Sequence, residues 1–194
     1  MSDEIQIVRF AQTVRQRWRN DGGWTREIAR HGDADGWHWR LSLAEVEQDG
    51  EFSLFPGIER EIVLLSGAGM AFEFADGERA MLTPESPRLR FDGGRKLHSR
   101  LLAGATTDFN LMWSPAHYHA QMWLRPLVGA STLFAASSQT WVLHMISGTA
   151  RLQDADNQQL QSGDTLIFRG GQSRSRQRLE AIGNAVLICL EVNN

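Results

Sequence analysis

The run Trp18-Arg19-Asn20-Asp21-Gly22-Gly23-Trp24-Thr25-Arg26-Glu27-Ile28 concentrates groups able to hold an anion. Asn-Asp-Gly-Gly folds into a tight turn whose backbone amides can be aimed at a negative charge. Thr25 and Glu27, two residues apart, share one face of the strand that follows. Trp18 and Trp24 can wall a pocket. The same run also reads as a plain hairpin turn with ordinary strand residues after it. Further along, Arg40 and Ser42 fall on one side of a second strand. An arginine on a strand that lines a barrel is costly to bury without an anionic partner. That partner is either Glu27, as a structural ion pair, or the carboxylate of a ligand.

The elements that must position these groups are short strands. Residues 37–46 alternate, with Trp37, Trp39, Leu41 and Leu43 on one face and Arg40, Ser42, Ala44 and Val46 on the other, a period of two. Residues 109–113 alternate again, Phe109, Leu111 and Trp113 against Asn110 and Met112. Apolar runs at 5–10, 61–65, 70–74, 141–146, 165–168 and 185–192 complete the set, with 5–10 expected at a sheet edge. Residues 12–18 could make two helical turns before the Gly-Gly. Many short strands and few helical periods predict a sandwich or barrel. Two stretches also repeat one design. Ser66-Gly67, a turn at Asp76-Gly77 and a return through Phe91-Asp92-Gly93-Gly94 match Ser147-Gly148, a turn at 154–157 and Phe168-Arg169-Gly170-Gly171. A repeat on this scale predicts one supersecondary unit used twice. The expected halves are residues 1–104 and 105–194, with strands free to cross between them, and a barrel mouth is a usual place for a small ligand.

Composition narrows the function classes. Apolar residues make up 42 % of the 194, enough for a substantial core. A formal net charge of −3 provides no bulk attraction to nucleic acid or to an anionic membrane. The segment 169–178, rich in Arg, Ser and Gly, is expected to be a solvated loop rather than an RNA-binding tract. Lys96 is the sole lysine, and the other basic residues are arginines, whose flat fork grips carboxylates bidentately. Cys189 is the single cysteine. It excludes an internal disulfide and a cysteine-based metal cluster, and its apolar strand marks it as inert core. The acidic start, Met1-Ser2-Asp3-Glu4, lacks a basic-then-apolar signal pattern, and no apolar run approaches the ~20 residues that span a bilayer. A soluble cytoplasmic protein is the expectation.

Three segments in order carry a resemblance. They are Trp18-x-Asn20-x-Gly22-Gly23-x-Thr25-x-Glu27, Trp39-Arg40-x-Ser42-x-Ala44-x-Val46, and Asp49-Gly50-x-Phe52-Ser53-x-Phe55-Pro56-Gly57-x-x-Arg60. With the later Asp108-Phe109-Asn110-Leu111-Met112, the chain resembles the HutD/Ves family over most of its length. The resemblance implies an all-β bicupin, two cupin-like barrels from an internal duplication. It implies a role in histidine utilisation or stress response, with binding of an intermediate such as formylglutamate or formiminoglutamate by a sensor rather than a catalyst. It adds Arg60 and Met112 to the candidate site. The family usually carries glycine where this chain has Asp21, and basic residues where Trp113-Ser114-Pro115 stand.

The expected protein is therefore a non-catalytic binder of a small carboxylate-bearing metabolite, with no cofactor. Arg40 pairs with the anionic group, and Glu27 holds Arg40. Asn20 and the amides of Gly22 and Gly23 orient the ligand. Thr25, Ser42 and Asn110 supply hydrogen bonds, and Trp18 and Phe52 form apolar walls. No nucleophile elbow, phosphate loop or dinucleotide fingerprint occurs. The rival is a metal-dependent cupin enzyme. A metal cupin needs about three His and one Glu converging on one face, and His117 and His119 have the spacing for two, with His98 as a third. His144, in an apolar strand, reads as a hydrogen-bonded core residue. A third reading is an interaction module forming a homodimer through tryptophans in polar contexts, such as Trp24, Trp113 and Trp123.

Overall fold

Period-two alternation becomes strand along most of the chain. The computed structural model describes residues 4–34, 36–171 and 175–193. The strands are β1 (Glu4–Val8), β2 (Arg15–Arg17), β3 (Gly23–Asp33), β4 (Gly36–Val46), β5 (Gly50–Glu51), β6 (Glu59–Ser66), β7 (Met70–Phe74) and β8 (Arg79–Leu82). They continue with β9 (Arg88–Asp92), β10 (Leu97–Leu101), β11 (Thr106–Trp113), β12 (Tyr118–Ala135), β13 (Gln139–Leu152), β14 (Gln159–Gln161), β15 (Thr165–Arg169) and β16 (Ser175–Val192). The protein is all-β; a single 3-10 turn, Phe10–Gln12, interrupts the strands among the described residues. The two helical turns that residues 12–18 could make do not form. A short edge strand, β2, takes their place and pairs with β3, because its uniformly polar residues have no apolar stripe to bury as a helix. No helix among the described residues is long and apolar enough to cross a membrane.

Two compact units divide the chain, one spanning Val14–His117 and the other built from the chain ahead of Val14 and from Tyr118 onward. Gly104, the expected boundary, lies instead between β10 and β11 inside the first of these. The N-terminal strand β1 crosses over in sequence to pair with β15 at the sheet edge, which is why a cut at one point in the sequence cannot separate the units.

In the Val14–His117 unit a six-stranded antiparallel sheet, β2-β3-β4-β11-β6-β9, accompanies a four-stranded one, β5-β10-β7-β8. Met70, Phe72 and Phe74 of β7, with Leu82 and Leu97, pack against Val46, Ile62, Leu64 and Phe91 of the larger sheet. Each such side chain removed from water contributes about 1.5–3 kcal/mol. In the other unit the sheet order is β1-β15-β13-β16-β12, with β14 beside β13. Leu143, Met145, Leu152, Leu166, Phe168 and Leu179 are at most 2 % exposed within its core. Cys189 is buried as expected, and burial pushes its thiol up to about 11, so it stays protonated and inert.

The two units share a pairing scheme. β13 pairs through its first part with β15 and through its last part with β14, as β6 pairs with β9 and β7 with β8. β16 lies along β13 as β11 and β10 lie along β6 and β7. β12 lies along β16 as β4 and β5 lie along β11 and β10. The repeated glycine pairs fall at equivalent places. A Cβ on Gly93 would meet the Ile58 carbonyl oxygen at 2.9 Å, and one on Gly170 the Ala136 carbonyl oxygen at 2.0 Å, so backbone approaches too closely for any side chain. Of the segment 169–178, residues 172–174 lie outside the described residues, and β16 has begun by Ser175.

His144, 1 % exposed, shares a hydrogen bond of 2.9 Å with the Thr165 hydroxyl through Nδ1. Burial lowers its imidazole to about 4, against a smaller opposing pull from Asp164. The unfolded chain therefore takes up a proton near pH 6.5 that the folded chain refuses until about pH 4, and stability falls across that window as pH is lowered. The loss is about 3 kcal/mol. His144→Gln should show a correspondingly flatter fall in stability between pH 7 and 4 in urea titrations; an unchanged acid dependence would contradict this assignment.

Candidate functional site

The register of three strands builds the site. On the larger sheet of the Val14–His117 unit, Met112 of β11 stands opposite Arg40 of β4 and Arg60 of β6. Two residues along, Asn110 stands opposite Ser42 and Ile62, and Ser42 opposite Glu27 of β3. Two further along, Asp108 stands opposite Ala44 and Leu64, and Ala44 opposite Thr25. Side chains at this spacing share one face. The inner face is thus polar at one end and grades into the apolar core at the other, where Leu64 and Val46 lie. Core side chains fill the apolar end. The polar end opens as a cavity of about 620 Å³, lined by Trp18, Asn20, Thr25, Arg40, Ser42 and Phe52, together with Arg60, Asn110 and Met112.

Nine of the twelve expected residues therefore meet at one cavity. Glu27, Gly22 and Gly23 do not line it. Glu27 accepts a 2.8 Å hydrogen bond from Nε of Arg40, the ion pair that holds this arginine in place. For Gly22 and Gly23 the expectation is corrected. The Gly22 amide is spent on the Asn20 side-chain oxygen at 3.1 Å, which leaves it no ligand to hold. Gly23 is packed so closely that a Cβ would lie 2.3 Å from the Glu45 carbonyl oxygen and 3.1 Å from the Trp18 ring. These glycines seat Trp18. Its indole N–H donates to the Thr25 hydroxyl at 2.7 Å, and its ring meets Phe52 edge-on at 6.5 Å. Trp24 is turned elsewhere, between Arg15 and Arg17 at 4.2 and 4.8 Å from the ring centroid. Asp21 has φ of 55°, a left-handed conformation natural to glycine, and its carboxylate accepts from Arg17 at 3.2 Å.

Arg60 is only 5 % exposed. Its guanidinium carbon sits 5.1–5.6 Å from the rings of Phe52, Phe55 and Phe91, a cage that favours a cation. Nε of Arg60 is nevertheless buried without a hydrogen-bond partner, and burial lowers its pKa to about 10, against the attraction of Asp108. Asp108 was not among the expected site residues. It lines the cavity, is 1 % exposed, and has both carboxylate oxygens unpartnered, as is Oδ1 of Asn110. Burial pushes its carboxyl up to about 7, with Arg60 pulling the other way. The signal that could have found it is its period-two relation to Asn110 and Met112 on β11. Phe55 also reaches the cavity wall.

The metal alternative does not fit. His117 shares a 2.9 Å hydrogen bond with Ser114 and stacks on His38 with ring centroids 3.9 Å apart, while His119 is exposed on β12. The described residues hold no group of three or more His, Cys, Asp or Glu able to take a metal ion. Trp113 is buried with Arg90 over its ring, and Trp123 stacks on Trp141.

This architecture is of the cupin/pirin-like class. The bacterial pirin YhhW from Escherichia coli, 11 % identical, shares the fold with a TM-score of 0.69 over 98 % of this chain and 100 % of that one. More specifically, the sequence matches HutD over residues 11–188, and the chain belongs to the HutD family. An uncharacterized 21.2 kDa protein in the hutC 3′ region of Pseudomonas putida is 38 % identical, over 88 % of this chain and 94 % of its own length. HutD from Pseudomonas fluorescens SBW25, 30 % identical, superposes with a TM-score of 0.85 over 98 % of this chain and 100 % of that one. A conserved protein of unknown function from Pseudomonas aeruginosa PAO1, 34 % identical, does so at 0.83 with the same coverage.

The Asp108 carboxyl has a linkage consequence. Its folded value near 7 lies above the ordinary 3.8, so the unfolded chain releases this proton first and stability falls as pH rises from about 4 to 7. Asp108→Asn should therefore be more stable than the wild type above pH 7, by on the order of 3–4 kcal/mol. The gap should close toward pH 4, as read by melting temperature across that range.

Proposed function

We propose that the protein is a non-catalytic receptor for a small carboxylate-bearing metabolite, held in the Val14–His117 unit. The observation that carries this is Arg60, a guanidinium 5 % exposed, lacking an ion-pair partner among the described residues, and facing a cavity of about 620 Å³. A buried cation in that state is favourable only when an anion arrives. Arg40 adds a second positive group on the far side of Met112, two strand spacings or about 10 Å away at the backbone, which suits a dicarboxylate. Trp18 and Phe52 cover the ligand's carbon chain. The cavity size is that of a small-molecule site.

The relatives supply a direction for the ligand. One is HutD, studied in a formate condition, and another lies in a hutC 3′ region. These names support a place in histidine utilisation, with formylglutamate or formiminoglutamate as candidate ligands. The matching strand pairing of the two units supports their origin in one duplicated cupin. The densely packed core of the second unit, with Leu143, Leu166 and Phe168 at its centre, supports restricting ligand binding to the first.

Calorimetric titration of formylglutamate, formiminoglutamate and glutamate tests the reading. At least one should bind the wild type and be recovered unchanged. Arg60→Met and Arg40→Ala should each weaken it by about tenfold or more. Equal binding by wild type and both variants would remove the arginines from the site, and turnover of the ligand would make the protein an enzyme.

A further inference from the structure

We propose that the ligand is an anion that also carries a hydrogen-bond donor, an N–H group or a cationic nitrogen, which Asp108 and Asn110 receive. This rests on the carboxylate reading and refines it.

The donors and acceptors around the cavity do not balance. Trp18 Nε1 is spent on Thr25, the Gly22 amide on Asn20, and Arg40 Nε on Glu27. Apart from Arg19, Ser42 and Ser53, which also line the cavity, what remains for a ligand divides by position. At the Met112 row stand the guanidinium groups of Arg40 and Arg60. Along β11, at the next two inward positions, stand Oδ1 of Asn110 and both oxygens of Asp108, all buried and all without a partner. A plain carboxylate answers only the first set. It also brings negative charge toward Asp108 and leaves three buried acceptors unpaired, and an unpaired buried acceptor keeps its full desolvation cost. A ligand with a donor beside its carboxylate answers both sets. Four residues of strand separate the Met112 and Asp108 rows, about 13 Å of backbone, and the long arginine side chains close part of that span.

The acidic end is also tuned for the task. Asp108 lies opposite Ala44 and Leu64, so apolar neighbours deny it water, and its carboxyl is held near 7. It accepts from a neutral N–H in either protonation state through its free oxygens. When ionised it also attracts a cationic nitrogen. Asn110 offers a neutral acceptor beside it.

Three five-carbon dicarboxylates that differ only at C2 separate the cases. Glutarate has no donor, N-formylglutamate has a neutral amide N–H, and glutamate has an ammonium. The wild type should bind at least one donor-bearing probe about tenfold or more tighter than glutarate. Asp108→Leu, which removes the acceptor, should bring that ratio close to one, and a cooperative melting transition reports that the variant is folded. Asp108→Asn keeps an acceptor but no charge, and should lose the preference for glutamate more than that for N-formylglutamate. Equal affinity of the wild type for all three probes would overturn the donor requirement alone, with water serving those acceptors. A preference fully retained in Asp108→Leu and Asp108→Asn would overturn the role of Asp108. Failure of every probe to bind would overturn the carboxylate receptor itself and this inference with it.

Discussion

A charge placed where it lacks a full answer governs the Val14–His117 unit. Arg60 projects from β6 into the interior, and three phenylalanine rings hold it there. Asp108, further along the same inner face, is the charge that attracts it most strongly. The two are not joined by a hydrogen bond, so burial dominates both and shifts each toward its neutral form. Natural interiors normally pair such groups. Leaving them without a hydrogen bond costs stability, and both face the cavity.

The rest of the unit serves that gap. The Glu27–Arg40 ion pair fixes the second guanidinium from a neighbouring strand. Gly23 gives up its side chain so that Trp18 can lie against the turn, and Thr25 locks the indole by its N–H. Phe72 and Phe74 of β7, with Leu82 of β8 and Leu97 of β10, fill the apolar end of the interior. The cavity is thus the remainder of a core packed from one end only.

The readable part of this design followed from strand periodicity. Arg40, Ser42 and Asn110 were placed inward by alternation, and all three line the cavity. Arg60 sits on a strand with no local signal for its role, and only the family resemblance singled it out. Asp108 obeys the same alternation as Asn110, yet its environment depends on cross-strand neighbours, Ala44 and Leu64, that lie far off in sequence. The Gly22-Gly23 pair misled for a physical reason. A glycine that admits a close tryptophan and one that exposes an amide to an anion use the same residue type in the same turn, and packing alone tells them apart. Residues 12–18 were open between turn and strand for a similar reason, because pairing along β3 decides a polar segment that has no pattern of its own.

One link between strands differs in length between the two units. In the second unit, residues 136–138 join β12 to β13 directly, and β12, β13 and β16 run on unbroken. In the first, the equivalent link is residues 52–58, and the matching strands are severed after β4, β6 and β10. The longer link carries Phe52 and Phe55 to the rim. Changes in that loop and at those seams alter the cavity's edge without touching the ladder that keeps the wall standing. The long strands of the second unit show how the same pairing runs when no link of that length intervenes.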